Sequence, residues 1–585
     1  MSAITRTIRT APLSLAVMDL RESRQFIGWE AAQGVVERER STLYKMPDAL
    51  RSRLIGIAPH SDRAGQWGMS TADALMPRPG QREMKCAKTR VKTTALIALV
   101  LFSLLLIFLA ALLIRTYTFR AEQQAAIGQS AALTANFSLN ERRVMLDNFK
   151  GALRIATVSR GVSDFNTSAL REFGHYLSQV FPNVFSSPFV HHETVANYSH
   201  LFTVIGSNDS LQPYILIAHL DVVPAVEEEW EVPPFSAEER SGYLYARGTL
   251  DDKLSVMGIL QSLELLLERG YKPHRSFYIG LGHDEEVGGY NGARNIAAVL
   301  QSRGVKLAYL LDEGSAIFDE IIPGLEKQVA MIATSEKSSA TIGLSVTATS
   351  GHSSIPPKET SIGILAAAVS RLERNPMPRM FGQGPERGLF EHLTPQLPFP
   401  LNMVMANLWL FAPLVSRIME KKPSTNSLVR TTTAVTEFHA GIKANVIASS
   451  ARATVNFRLH PAHRLEELLQ QIRHIISDER VKIEVLESSP PIPMSSYDDD
   501  AFGYQVIKAT IGNIFPDVTV TPGLCIASTD TKHYQNLTTE LYRFTPITLK
   551  EEDISRVHGV NERISVKNYE EVVQFYFTLI QNSDS

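Results

Sequence analysis

Residues 214–224 read YILIAHLDVVP. Five apolar residues, Tyr214–Ala218, run directly into His219 and Asp221. A short unbroken apolar run predicts a strand covered on both faces, with the polar residues at its carboxyl end. Two further segments repeat this. SFYIGLG, residues 276–282, runs into His283-Asp284-Glu285-Glu286, and LAYLL, residues 307–311, runs into Asp312-Glu313-Gly314. Between the first two lies LSVMGILQSLELLLER, residues 254–269, a helix pattern that stops at Gly270. Strands alternating with helices predict an α/β fold with a mostly parallel central sheet.

Ligands of open α/β sheets bind beyond the carboxyl ends of the strands. Three segments therefore deliver His and carboxylates to one sheet edge. GTLDDK, residues 248–253, adds Asp251 in the loop that opens the helix, and His558-Gly559 adds a late loop. Each piece alone is common in capped or solvated loops; together, after successive strand ends, they point to a metal site. The chain has two cysteines, Cys86 and Cys525, so no disulfide framework and no cysteine zinc finger can form. His, Asp and Glu suit zinc, manganese or cobalt. Two such ions ~3.5–4 Å apart need a bridging carboxylate, and a further carboxylate can shuttle the proton of an attacking water.

The middle of the chain has a different order. Strand-like 341–349, helical 361–374, strand-like 431–439 and 451–459, helical 465–477 and strand-like 481–486 make βαββαβ, a ferredoxin-like arrangement. It predicts an inserted lid domain over 340–488, between catalytic segments 136–339 and 489–585. The insert is enlarged at 375–427. There LPFPLNMVMANLWLFAPLV, residues 397–415, is strongly apolar, but Pro398, Pro400 and Pro413 argue against a second spanning helix. It packs a larger lid, lines an acyl tunnel, or touches membrane to collect lipid.

TTALIALVLFSLLLIFLAALLI, residues 93–114, is long enough to cross a ~30 Å hydrocarbon core. Lys85, Lys88, Arg90 and Lys92 precede it, so the amino-terminal side is expected in the cytosol and the rest outside. Residues 84–115 read as a signal-anchor or a cleaved signal, and the protein as secreted or lumenal. Asn136, Asn166, Asn197, Asn208 and Asn536 open glycosylation sequons after this run. Residues 1–83, with eleven Arg and one Lys, read as a disordered leader. A formal net charge of -3 argues against a nucleic-acid partner.

HLD, GTLDDK, DEEVGG, LLDEG, a GHSS segment at 351–354 and a late His together resemble the aminoacylase, carnosinase and desuccinylase family of di-zinc metallopeptidases. The likeness covers about 140–585. It implies two zinc ions per chain. His219 and Asp312 would bind the first, Glu286 and His558 the second, and Asp251 would bridge them. Asp221 would orient His219, and Glu285 would be the general base. The family places a cis peptide at Asp251–Asp252. His352 would reach across a dimer formed through the lid to stabilise the oxyanion, and Asn445 and Arg458 would bind the substrate carboxylate. Many relatives have Asp where this chain has Asn456, which leaves the orientation of Arg458 open.

TVIGSNDSLQPYILIAHLDVVP, residues 203–224, and the enlarged insert are most similar to the branch that hydrolyses and condenses N-fatty-acyl amino acids. The expected function is therefore a di-zinc amidohydrolase on such amphiphiles, with association to membrane or lipoprotein. The alternatives are a carboxypeptidase or dipeptidase, and a catalytically silent tethered binding protein. All matched ligands and Glu285 are present, which argues against the last.

Overall fold

A computed structural model describes residues 80–119, 133–322, 325 and 327–584, without the side chains of 80–91. The leader expected over 1–83 lies outside these residues as far as 79. The first described element is helix α1, Gly80–Thr118. Its part Lys92–Thr118 is apolar and long enough to cross a membrane, and only 6% of its most apolar window is buried. All contacts described below lie within the unit Ile97–Ser585.

The central sheet takes strands β1 (Val190–Val195), β2 (Ser199–Val204), β3 (Tyr214–His219), β4 (Phe277–Gly282), β5 (Leu310–Asp312) and β6 (Val329–Glu336). Leu541–Arg543 lies between β5 and β6, and Thr519–Cys525 also pairs with β6. At the centre β3 runs parallel to both β4 and β5, with His219 level with Gly282. The apolar run 214–218 is fully buried because helices cover both faces. Helix α2, Lys253–Glu268, is buried along most of its length and packs against helix Val566–Asn582. Gly258 permits this approach: a Cβ there would lie 2.9 Å from Val572 Cγ1.

A second sheet is antiparallel. Strand β7 (Ser338–Thr347) and helix α3 (Ser361–Arg374) precede the insertion, which holds helices Glu386–Leu393, α4 (Leu401–Ala406), α5 (Leu408–Met419) and Pro423–Val429. Strands β8 (Thr432–Ala440) and β9 (Ser450–Leu459), helix α6 (Leu465–Ile476) and strand β10 (Lys482–Ser488) complete the βαββαβ order. The strands lie in the order β8-β9-β7-β10. Burial alternates along β7 and β9, so one face packs on α3 and α6 through Ile342, Leu344, Val455, Phe457, Leu365 and Ile472.

Candidate metal centre

The carboxyl ends of β3, β4 and β5 and the loop before α2 meet the late loop carrying His558. His219 is buried at the end of β3, with Nδ1 3.0 Å from the Asp221 carbonyl oxygen. That contact points Nε2 at the cluster, where it lies 2.9 Å from Asp251 Oδ1 and 3.2 Å from Glu313 Oε1. The other oxygen of Asp251 faces a second group: Oδ2 is 2.9 Å from His558 Nε2, which is 3.2 Å from Glu286 Oε2. Two groups, His219–Asp251–Glu313 and Asp251–Glu286–His558, could each hold a metal ion, and Asp251 belongs to both. The Asp251–Asp252 peptide is cis.

Asp312 was expected to bind the first ion, but both its oxygens are engaged elsewhere. Oδ2 accepts from the Thr531 amide and hydroxyl at 2.9 and 2.7 Å, and Oδ1 accepts from the Glu313 amide at 2.9 Å. Glu313, one residue on, reaches His219 instead. Asp221 touches two loops. Its carbonyl holds the imidazole, while its carboxylate Oδ1 lies 3.4 Å from His219 Nδ1 and accepts the Glu285 amide at 3.1 Å. It thus links the His219 loop to the Glu285 loop.

A family model described as Peptidase family M20/M25/M40 matches residues 215–582. The chain belongs to the M20/M25/M40 peptidase family. As a member it is a metal-dependent hydrolase, and the cluster is its candidate metal site. The chain is similar to the N-fatty-acyl-amino acid synthase/hydrolase PM20D1 of Xenopus tropicalis, 56% identical over 82% of this chain and 94% of that protein. The Homo sapiens protein of that name is 54% identical over 78% of this chain and 91% of its own length. Among solved structures, an M20 family metallo-carboxypeptidase from Sulfolobus solfataricus aligns with a TM-score of 0.54, covering 75% of this chain and 99% of that one. At 14% identity that likeness shows the fold.

The electrostatics of this M20 chain fit a cation pair. Burial pushes Glu285 well above the usual carboxylate range, and it also raises Glu286 and Glu313. Burial opposes charge on His219, but Glu313, Asp221 and Asp251 outweigh it and hold the imidazole well above its ordinary value. Contacts with Asp251 and Glu286 push His558 up to about 10. Glu286 Oε1 is buried with no hydrogen-bond partner. A donor set of two His and three carboxylates with an orphaned buried oxygen is chemically suited to two divalent ions.

The sequence reading missed a buried clamp. Glu562 Oε2 lies 2.7 Å from Arg247 Nη1, and Oε1 accepts from the amides of Gly248, Leu250 and Asp251 at 3.0, 2.6 and 3.3 Å. Arg247 Nη2 donates to the His558 and Gly559 carbonyls at 3.2 and 3.0 Å. His558 has φ +59, a left-handed backbone that this anchorage holds. Gly248 is also left-handed at φ +92, which glycine accepts freely. The signal in the sequence was slight: an Arg directly before GTLDDK and a Glu four residues after His558.

The lid residues separate into two places. His352 is exposed and pairs along the backbone with Val446, and the Ser353 amide donates to the Asn445 carbonyl at 3.2 Å. The His352 ring bonds to Ser354 in its own loop and joins neither metal-capable group. Arg458 sits at the other end of β9, level with Ser339, roughly 26 Å along the strand from Ser450 at ~3.3 Å per residue. That end adjoins the catalytic part: Tyr290, in the loop after Glu286, donates to Glu487 at 2.9 Å. Asn445 and Arg458 are therefore not brought together within one chain. Asn456 bonds across the sheet to Thr341 Oγ1 at 3.3 Å.

Proposed function

We propose that this chain is a di-zinc amidohydrolase that hydrolyses, and in reverse condenses, N-fatty-acyl amino acids. The observation that carries the reading is Asp251, whose two oxygens each meet a different histidine beside the Glu285-Glu286 pair. The likeness to N-fatty-acyl-amino acid synthase/hydrolases over most of the chain supports the substrate class.

His219, Asp251 and Glu313 would hold one ion, and Asp251, Glu286 and His558 the other. When bound, the ions polarise the scissile carbonyl and acidify the attacking water. Glu285 takes the proton of that water and delivers it to the leaving nitrogen. Asp221, through the Glu285 amide, keeps this base in place. Arg458 binds the substrate carboxylate from the catalytic end of β9. His352 and Asn445, at the far end, serve the site of a second copy in a lid-mediated dimer, with His352 at the oxyanion. Condensation follows by the same steps reversed when acid and amine are abundant.

The apolar helix Lys92–Thr118 anchors the enzyme, with the folded part lumenal or extracellular. Asn136, Asn197 and Asn536 are exposed and suited to carry glycans. Asn166 is engaged as a helix cap, accepting from the Ala169 amide at 3.2 Å.

Glu285→Gln tests the mechanism. It should keep both metals and lose roughly 10²–10⁴-fold in activity on N-oleoyl-phenylalanine. Full activity in this variant would refute the assignment. Faster turnover of dipeptides than of N-oleoyl-phenylalanine would favour a dipeptidase instead.

A further inference from the structure

The apolar part of α1, Lys92–Thr118, is exposed along most of its length but engaged near its end. Arg115 Nε donates to the Ala406 carbonyl at 2.8 Å. Asn407 Nδ2 lies 3.3 Å from the Leu112 carbonyl and 3.4 Å from Thr116 Oγ1. The rings of Phe108 and Trp409 meet edge-on at 6.4 Å. Leu112 and Thr116 are buried there, while Leu104–Ile107 are exposed. These partners belong to the insertion, at the junction of α4 and α5.

The same junction exposes apolar side chains. Trp409 is 62% exposed, Leu414 51% and Ile418 57%, and Leu410 is also exposed. Arg417, Lys421 and Lys422 stand exposed at the end of α5. The exposed side of this short helix carries Leu410, Leu414 and Ile418, with Trp409 at its start and basic residues toward its end, which suits a lipid interface.

The contacts fix a depth. Phe108 lies about 10 Å along the helix axis from Arg115, at 1.5 Å per residue. If the run 93–114 crosses a bilayer, Arg115 stands at its surface and Phe108 lies within the hydrocarbon. Trp409, against Phe108, then lies below the surface too. We propose that the α4–α5 junction of the lid is inserted into the bilayer leaflet beside the anchor, with Trp409, Leu410, Leu414 and Ile418 in lipid and Lys421 and Lys422 among headgroups. The proposal rests on the reading of α1 as a retained anchor. Acyl substrates dissolved in that leaflet lie at the depth of the lid.

The full chain, reconstituted in phosphatidylcholine vesicles and washed with carbonate, tests both readings separately. Retention after the wash reports the anchor. Quenching of tryptophan emission by lipids brominated at carbons 6 and 7 reports the lid, as the difference between wild type and Trp409→Phe. The expected result is full retention of both proteins, with lipid-dependent quenching largely lost in Trp409→Phe. Leu414→Glu combined with Ile418→Glu keeps Trp409 and should move its emission to the red and lower its quenching. Trp409 emission quenched by aqueous acrylamide, or shielded from both quenchers by a second chain, would overturn the insertion. Release by carbonate would overturn the anchor, and the depth argument with it.

Discussion

Glu562 and Arg247 face each other at 2.7 Å, both buried, across 315 residues of chain. Glu562 fixes the loop of Asp251, and Arg247 fixes the loop of His558. The pair thus sets the spacing between Asp251 and His558, which would share one ion in the proposed centre. Removing a partner of this kind costs on the order of 10–100-fold in metal affinity or activity. Glu562→Gln should weaken metal retention and activity together, read by metal analysis after dialysis and by turnover. Arg247→Lys, which keeps the charge but loses the fork, should show a smaller loss. Wild-type metal content and turnover in Glu562→Gln would dismiss the clamp.

Asp312 and Glu313 make a sharper pair of variants. Glu313→Gln should lose about one of two metal equivalents, since it removes a charged donor from the His219 group. Asp312→Asn should keep both equivalents, because Asp312 is spent on Thr531 and the Glu313 amide. The reverse pattern would restore Asp312 as the ligand.

Sharing of sites between copies has a mixing test. His352→Ala and Glu285→Gln should each be nearly inactive alone. Co-expressed, they should recover about a quarter of wild-type activity, because half of the dimers are mixed and each then holds one intact site. No recovery, with mixed dimers present, would confine His352 to its own chain.

Two buried lysines contribute stability that grows as pH rises above neutrality. Burial drags Lys253 down to about 7, and burial with the nearby Arg458 charge does the same to Lys337; the ordinary value is 10.5. Between about 7 and 10.5 the unfolded chain holds more protons than the folded one, so raising pH favours folding. Below about 7 both states are protonated and the effect is flat. With metal saturating, each lysine should add on the order of 1–2 kcal/mol between pH 7 and 9. Thermal unfolding at the two pH values reads this, and Lys337→Met should shrink the difference.

The sheet and the lid order were legible because each rests on a period the chain displays. Tyr214–Ala218 is unbroken because both faces are covered, and β7 and β9 alternate because one face is. Neighbouring carboxylates were not separable. A step of one residue at a strand end turns the side chain to the other face, so LLDEG offers two candidates, and the fold places Glu313 beside His219. The Arg247–Glu562 pair left almost no trace, since nothing local links two loops more than 300 residues apart. Asn445 and Arg458 look like neighbours at thirteen residues, but an extended strand carries them apart.

The clamp also gives the enzyme a clock. Asp251 leaves the ribosome 311 residues before Glu562, which is roughly 15–60 s at ~5–20 residues per second. From residue 313 until residue 558 the nascent chain carries His219, Asp251, Glu286 and Glu313 but neither His558 nor the anchor of the Asp251 loop. Only one of the two metal pockets can close in that time. On the proposed mechanism the enzyme is therefore silent during its own synthesis, and a chain interrupted before residue 558 is released with half a site.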